Sequence, residues 1–373
     1  MPAAELASER PALLRWAIAV YLTIRVSALG FTLVLPLVGA ASVAAGHGDT
    51  RVGAGVGARV DAWVDAWVDI PIGVLMLVAL SFHVFAYVLN DVVDLWLDRH
   101  EPLRADSPLV QGAIGRGGLL VLAWAQVPIA FGLALLHGAH AAALVMLLIA
   151  FAAMTVYDLY GKRCRWPLLT DAVQSVGWCA LAGVGACWRG PEWPPFTGWL
   201  AAYVFCCVML VQGVHGGLRD LANDLRGGAR TTAVWLGARP GAGSGIEVSR
   251  AVAAYAVLLQ GGLWATALAT LASVPNNTGS GAAPALVIVA LATATGALVL
   301  AYRRRTDRRR LIAAGAWNIV CTLLVLPALV LPVLTLAEAG TLVAALGLPI
   351  AAMLVYNGAH WRLAPPPLPK AAR

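Results

Sequence analysis

Charge is what this chain has least of. Only 12% of its 373 residues are Asp, Glu, Lys or Arg, where a soluble domain of this size carries about a quarter. With 60% hydrophobic residues and a mean hydropathy of +0.78, the composition excludes a water-soluble fold. Alternating apolar segments of strand length are also missing, which excludes a transmembrane β-barrel. The six cysteines lie mostly inside apolar runs and show no Cys-x-x-Cys spacing, so neither a disulfide framework nor a cysteine metal site is expected. The glycine-rich stretch 237–245 follows no strand pattern and lacks a Walker-type lysine. It reads as a flexible loop, and a nucleotide cradle is excluded. No convincing small-residue cleavage site follows the first apolar run, so no cleavable signal peptide is expected.

What is present is a series of apolar runs near the roughly 20 residues that cross a bilayer as a helix. The expectation is an all-α polytopic membrane protein, a single domain over residues 1–373. Its spans are placed at 26–45, 70–89, 118–136, 141–157, 168–187, 198–214, 251–272, 284–301, 311–336 and 341–356. Residues 1–24 read as a polar tail followed by an interfacial helix at 13–24, and residues 358–373 as a second tail. The segment 47–69, with its acidic Asp61-Ala-Trp-Val repeat, reads as structural, its tryptophans suited to the outer membrane surface.

The net charge of +7 is scattered through the loops and points to no nucleic-acid partner. With the amino terminus inside, all but four of the 26 Lys and Arg fall on the inner side, the exceptions being Arg51, Arg59, Arg189 and the boundary residue Arg25. That asymmetry is the positive-inside pattern. It predicts a protein of the cell membrane whose amino terminus and site are cytoplasmic.

Polar chemistry is concentrated in two places. Asn90, Asp91, Asp94 and Asp98 follow the apolar run 74–89 directly. On a helix Asn90, Asp94 and Asp98 stack along one face, four residues apart. Three carboxylates and a carboxamide at the mouth of a membrane helix repel one another and resist desolvation unless a cation sits among them. Mg²⁺ suits such oxygen ligands and normally keeps substrate phosphates in its shell. Asp220 and Asp224, again four apart, follow the apolar run 200–214. Two acidic helix ends suggest two ions gripping one diphosphate, although this second pair taken alone also fits solvated loop charge.

At these residues the chain resembles the UbiA superfamily of intramembrane prenyltransferases. Asn90-Asp91-x-x-Asp94-x-x-x-Asp98 and Asp220-x-x-x-Asp224 are similar to its two aspartate-rich motifs, in the same order on a helical membrane chain. The resemblance runs from about Arg25 to the last spans. It implies a bundle of nine to ten transmembrane helices around a central cavity with a cytoplasmic cap. The family usually has nine, so a tenth is a departure, and one of the last two segments is alternatively re-entrant or interfacial.

The resemblance also implies two or more Mg²⁺ ions bound with an isoprenoid diphosphate. One would be held by Asn90, Asp94 and Asp98, another by Asp220 and Asp224, with Asp91 orienting or supplementing them. Arg25 resembles family arginines that contact diphosphate, or else it snorkels to the interface. Arg104 is the nearest substitute for a family arginine, because Ser107 stands before Pro108-Leu109. Tyr157 and Lys162 are similar to a Tyr-x-x-x-Lys element but one residue too far apart. Lys162, with Arg163, would meet the diphosphate, and Tyr157 or Tyr160 the allylic cation, membrane anchoring being the other role open to them. Gly217 stands where many members carry an aspartate, and His215 either assists the site or packs.

The implied activity is transfer of a prenyl group from an isoprenoid diphosphate to a small-molecule acceptor, aromatic or otherwise electron-rich. A membrane terpene cyclase of the same superfamily, working without an acceptor, is the runner-up. A cation transporter is a third reading, against which the acids sit at helix ends on one side and not at the midplane.

Overall fold

The computed structural model describes residues 24–46, 72–99, 107, 109–112, 114–241, 245–273, 282–302, 306–331, 334, 338–349 and 351. The expectations for the tail 1–10, the interfacial helix, the repeat at 47–69, Arg104 and the tail 358–373 fall outside the described residues.

The apolar runs form helices α1 (Val26–Gly46), α2 (Ile72–Val93), the short α3 (Leu95–Asp98), α4 (Arg116–Leu136), α5 (Ala141–Tyr160) and α6 (Pro167–Ala186). They continue as α7 (Pro195–Val208), a π-helical segment (Met209–Gly216), α8 (Gly217–Gly227), the short α9 (Thr232–Trp235), α10 (Arg250–Ala272), α11 (Ala282–Ala301) and α12 (Arg308–Val330). A last helix, α13, covers Glu338–Pro349. Local sequence sets several of the boundaries. Pro167 and Pro195 open α6 and α7, where the missing N–H costs nothing. Ser249 caps α10 by accepting from the Val252 N–H, and His140 caps α5 by accepting from the Ala142 N–H.

Seven of these helices, counting α7 through α8 as one continuous rod, are long and apolar enough to cross a membrane. Beside them, α6 has 20 residues but carries Thr170, Asp171, Gln174 and Ser175, all buried, because it runs through the interior. Large apolar side chains point outward on the peripheral helices, with Leu136 83%, Val121 72% and Leu258 71% exposed. A water-facing surface would not be built this way, whereas a lipid-facing one is. Among the described residues α13 is shorter than a span, and the tenth span expected at 341–356 is described only in part.

The order of packing closes a bundle. α2 lies against α1, α4 and α5; α5 against α6; α6 against α1 and α7; α7 against α10; and α12 against α1 and α11. Small residues let α1 and α6 touch backbone to backbone. A Cβ on Gly39 would collide with the Ala182 carbonyl, and one on Gly185 with the Pro36 carbonyl. This is the close approach that small residues permit between membrane helices.

A small sheet departs from the all-helical expectation. Arg239–Pro240 (β1), Gly245–Glu247 (β2) and Thr306–Asp307 (β3) pair antiparallel in the order β1-β2-β3. Arg239 is opposite Glu247, and Gly245 is opposite Asp307. The glycine-rich stretch read as a flexible loop therefore includes paired strand residues, which tie the loop before α10 to the loop before α12.

Candidate active site

The first acidic motif begins inside a helix. α2 continues past the expected end of its span at residue 89 and includes Asn90 and Asp91. Asp94 turns the chain into α3, yet the helical ladder continues, with Asp94 N–H to Asn90 O at 2.8 Å and Asp98 N–H to Asp94 O at 3.0 Å. Asn90, Asp94 and Asp98 consequently line one cavity, as their spacing predicts. Asp91 is turned aside from it, buried and ion-paired with Arg25.

The second motif arrives on a helix that never breaks. The rod Pro195–Gly227 passes through the π-helical segment and delivers Asp220 and Asp224 to the same cavity. Gly228 then ends α8 in the left-handed region, φ +72°, a conformation glycine adopts without a Cβ penalty. The turn sends the chain back toward the loop after α5, where the Arg230 N–H donates to the Lys162 carbonyl at 2.8 Å. Thr231 donates its hydroxyl to Asp224 at 3.2 Å, and Thr232 donates to Asp171 on α6 at 2.5 Å.

Three cations meet these acids. The Lys162 ammonium lies 2.8 Å from Asp94 Oδ2. Burial alone would lower the pKa of Lys162, but Asp94 and then Asp224 outweigh it and hold the group above its usual range. One lysine thus lies in the field of both motifs. Arg219 grips its neighbour Asp220 through two hydrogen bonds of 2.8 Å. Arg25, at the cavity edge, pairs with Asp91, donates to Asn90 Oδ1 at 3.2 Å and stacks over the Tyr87 ring at 5.3 Å. It does so from a left-handed backbone, φ +48°, which a non-glycine residue holds only when its surroundings impose it. His83 supplies part of that restraint, bridging the Ile24 carbonyl at 2.6 Å and the Thr32 hydroxyl at 2.8 Å.

The remaining expected residues divide. Tyr157 lines the cavity, whereas Tyr160 is 59% exposed and does not. Arg163 lies over the Trp96 ring at 5.6 Å, in a separate surface pocket. His215 pairs with Asn318 at 2.9 Å and packs at Gly315. Gly217 lines the cavity, and a Cβ there would come within 2.9 Å of the Ala233 methyl, so α9 fills the space an aspartate would need. Sequence reasoning missed Asp158, Asp171 and Arg219 as parts of the site. Arg219 was signalled only by adjacency to Asp220, and Asp158 only by its place between Tyr157 and Lys162.

Asn90 ties these groups together. Its amide nitrogen donates to Asp94 Oδ2 at 3.3 Å and to Asp158 Oδ1 at 3.2 Å, which leaves its one ligating atom, Oδ1, toward Arg25. Asp158 Oδ2, Asp224 Oδ1 and Asn223 Oδ1 are buried and have no hydrogen-bond donor among the described residues. Buried oxygens that can only accept call for a cation. Among the described residues no three His, Cys, Asp or Glu side chains are grouped so that they could hold a metal ion by themselves. The oxygens of Asn90, Asp94, Asp98, Asp220 and Asp224 in one cavity suit Mg²⁺ if phosphate oxygens complete its coordination.

Comparison with known proteins identifies the family and the fold. The UbiA prenyltransferase family profile matches residues 52–320. A 4-hydroxybenzoate octaprenyltransferase of Polaromonas sp. (strain JS666 / ATCC BAA-500) is 28% identical over 187 residues, 49% of this chain and 58% of the relative. The chain thus matches less than two thirds of that relative's length. The apo structure of a UbiA homolog from Aeropyrum pernix K1 superposes with a TM-score of 0.55 at 18% identity, covering 80% of this chain and 94% of that one. A UbiA homolog from Archaeoglobus fulgidus, solved bound to GPP and Mg²⁺, superposes with a TM-score of 0.54 at 15% identity, covering 86% and 99%. A family match across most of the sequence, on a fold shared with solved homologs, makes this chain a member of the UbiA prenyltransferase family.

Proposed function

We propose that the chain is a Mg²⁺-dependent intramembrane prenyltransferase, which ionises an isoprenoid diphosphate and passes the prenyl group to a small aromatic acceptor. The observation that carries this reading is the convergence of Asp94, Asp98, Asp220, Asp224 and Lys162 on one cavity at one end of a bundle of apolar helices. The ligand pair in the A. fulgidus homolog, a prenyl diphosphate with Mg²⁺, supports the same substrate class.

Asn90, Asp94 and Asp98 would hold one ion and Asp220 and Asp224 another, with Asp91 setting the position of Arg25. When bound, Mg²⁺ supplies positive charge to the phosphate oxygens and makes diphosphate a better leaving group. Lys162, Arg219 and Arg25 add fixed positive charge at the same end, exchanging carboxylate partners for phosphate oxygens as the substrate enters. The bond from the allylic carbon to oxygen breaks, and its electron pair leaves with the diphosphate. The Tyr157 ring, which lines the cavity, is the candidate partner of the allylic cation. The inner-side bias of Lys and Arg supports a cytoplasmic mouth.

The test is incubation of the purified protein with Mg²⁺ and isoprenoid diphosphates of several lengths, with and without phenols and aromatic acids. Diphosphate release that depends on an acceptor is the expected result. A cyclic hydrocarbon formed without acceptor would favour the cyclase. Unchanged substrate under every condition, with cation flux in vesicles, would favour the transporter.

A further inference from the structure

Asp171 is a carboxylate that the diphosphate chemistry leaves unused. It lies on α6, is 8% exposed, and lines the same cavity as the two acidic motifs. Asp94 is met by Lys162 and Asp220 by Arg219, but among the described residues no lysine or arginine pairs with Asp171. Its side-chain partner is a hydroxyl, Thr232 Oγ1, which donates to Oδ2 at 2.5 Å. Room for the carboxylate comes from Gly213 in the π-helical segment, where a Cβ would lie 2.7 Å from Asp171 Oδ2.

A second observation points to a ligand beside it. Gln174, on the same face of α6, is 4% exposed, and its Oε1 is buried without a hydrogen-bond partner among the described residues. The Tyr255 hydroxyl on α10 is likewise buried without a hydrogen-bond partner among the described residues. The bond that breaks joins the diphosphate to the next carbon, so a carboxylate in the same cavity that is not matched by a cation is a candidate to meet the acceptor and not the phosphates.

We infer that Asp171 accepts the proton lost by the prenyl acceptor, and that Asp171, Gln174 and Tyr255 seat an acceptor bearing an uncharged hydroxyl. The inference rests on the prenyltransferase reading and names the acceptor class for that same site. In the step, a carbon–carbon bond forms between the allylic cation and the acceptor ring, and the ring carbon gives up its proton to the Asp171 carboxylate. The diphosphate has already left with the electron pair of the broken carbon–oxygen bond, so charge and atoms balance. Asp171 and Gln174 Oε1 both accept hydrogen bonds, which suits a phenolic O–H and disfavours an acceptor that carries its own carboxylate.

The experiment compares wild type with Asp171→Asn, using geranyl diphosphate, Mg²⁺ and a panel of phenols with their carboxylated counterparts. Diphosphate release, prenylated product and prenyl alcohol are measured together. The amide oxygen of Asn still accepts from Thr232, so the fold around α9 is retained. The expected result is that prenylated product per diphosphate released falls about 100-fold, the difference appearing as prenyl alcohol because a poorly seated acceptor leaves the cation to water. Thr232→Val controls for a clamp that is merely structural. If Asp171→Asn and Thr232→Val lower diphosphate release and product in parallel, or if Asp171→Asn leaves product unchanged, the inference is overturned. A preference for hydroxybenzoates over the matching uncharged phenols overturns it too, as does turnover that occurs only without an acceptor. A wild type that releases no diphosphate at all would instead remove the prenyltransferase reading itself, and the inference with it.

Discussion

Lys162 lies 2.8 Å from Asp94 and also in the field of Asp224 and Asp220, so deleting a carboxylate from this group leaves a largely buried charge poorly matched. Asp94→Ala is expected to lower turnover by about 10³-fold, the scale of losing one preorganised electrostatic element. The solubilised protein should remain monodisperse, and diphosphate release with size-exclusion chromatography checks both halves of the statement. Arg25 presents a harder substitution than its chemistry suggests. Its guanidinium reaches Asn90 and Asp91 at once while covering the Tyr87 ring, and an ammonium cannot keep that fork. Arg25→Lys is expected to raise KM for the isoprenoid diphosphate about tenfold, about 1.4 kcal/mol of binding, with a smaller effect on kcat. An unchanged KM would return Arg25 to a purely interfacial role. At this scale Asn90, Asp94 and Asp98 were legible because polar groups repeating every four residues beside an apolar run rarely arise as ordinary surface charge. Asp158 and Asp171 were not, because a single acid within an apolar run has no period, and only the fold reveals which way it faces.

Among the elements, seven of the expected spans were legible from hydropathy, and α6 is a helix whose Asp171 and Gln174 lower its apolarity because it runs through the interior. The π-helical segment was not legible, since eight residues of altered winding leave no mark on apolar periodicity. Such segments gather at functional sites, and here one lies within the rod, between α7 and the second motif, with Gly213 beside Asp171. The small sheet also escaped, because two or three residues per strand, paired across distant loops, carry no local signal. Gly217 is the instructive case. Its place in the pattern invited an aspartate, yet Ala233 on α9 occupies the space, 2.9 Å from where a Cβ would sit. Gly217→Asp is expected to disturb α9, lowering the thermal midpoint of the solubilised protein through about 1–3 kcal/mol of overpacking. Adding Ala233→Gly should recover much of the loss. A single variant as stable as wild type would mean that α9 yields easily.

Taken whole, the molecule separates its two tasks along one axis. Lipid-facing side chains such as Val121, Leu136 and Leu258 surround the bundle, while Arg25, Lys162, Arg219 and the acids gather at one end. That end is also where the loops are tied together, through Arg230 to the Lys162 carbonyl, Arg308 to the Arg219 carbonyl at 2.9 Å, and the β1-β2-β3 sheet. The positive-inside count places these loops on one side, but their mutual contacts depend on tertiary packing. The proposed chemistry requires the motifs from α2–α3 and α8 to act on one diphosphate. A double-mutant cycle isolates that requirement: affinity for a non-ionisable prenyl thiolodiphosphate in saturating Mg²⁺ is measured for wild type, Asp94→Asn, Asp224→Asn and the double variant. Each single change should weaken binding, and the two losses should be coupled by more than about 1 kcal/mol. Losses that simply add, or a loss confined to one motif, would mean that the two acidic helix ends do not share a diphosphate.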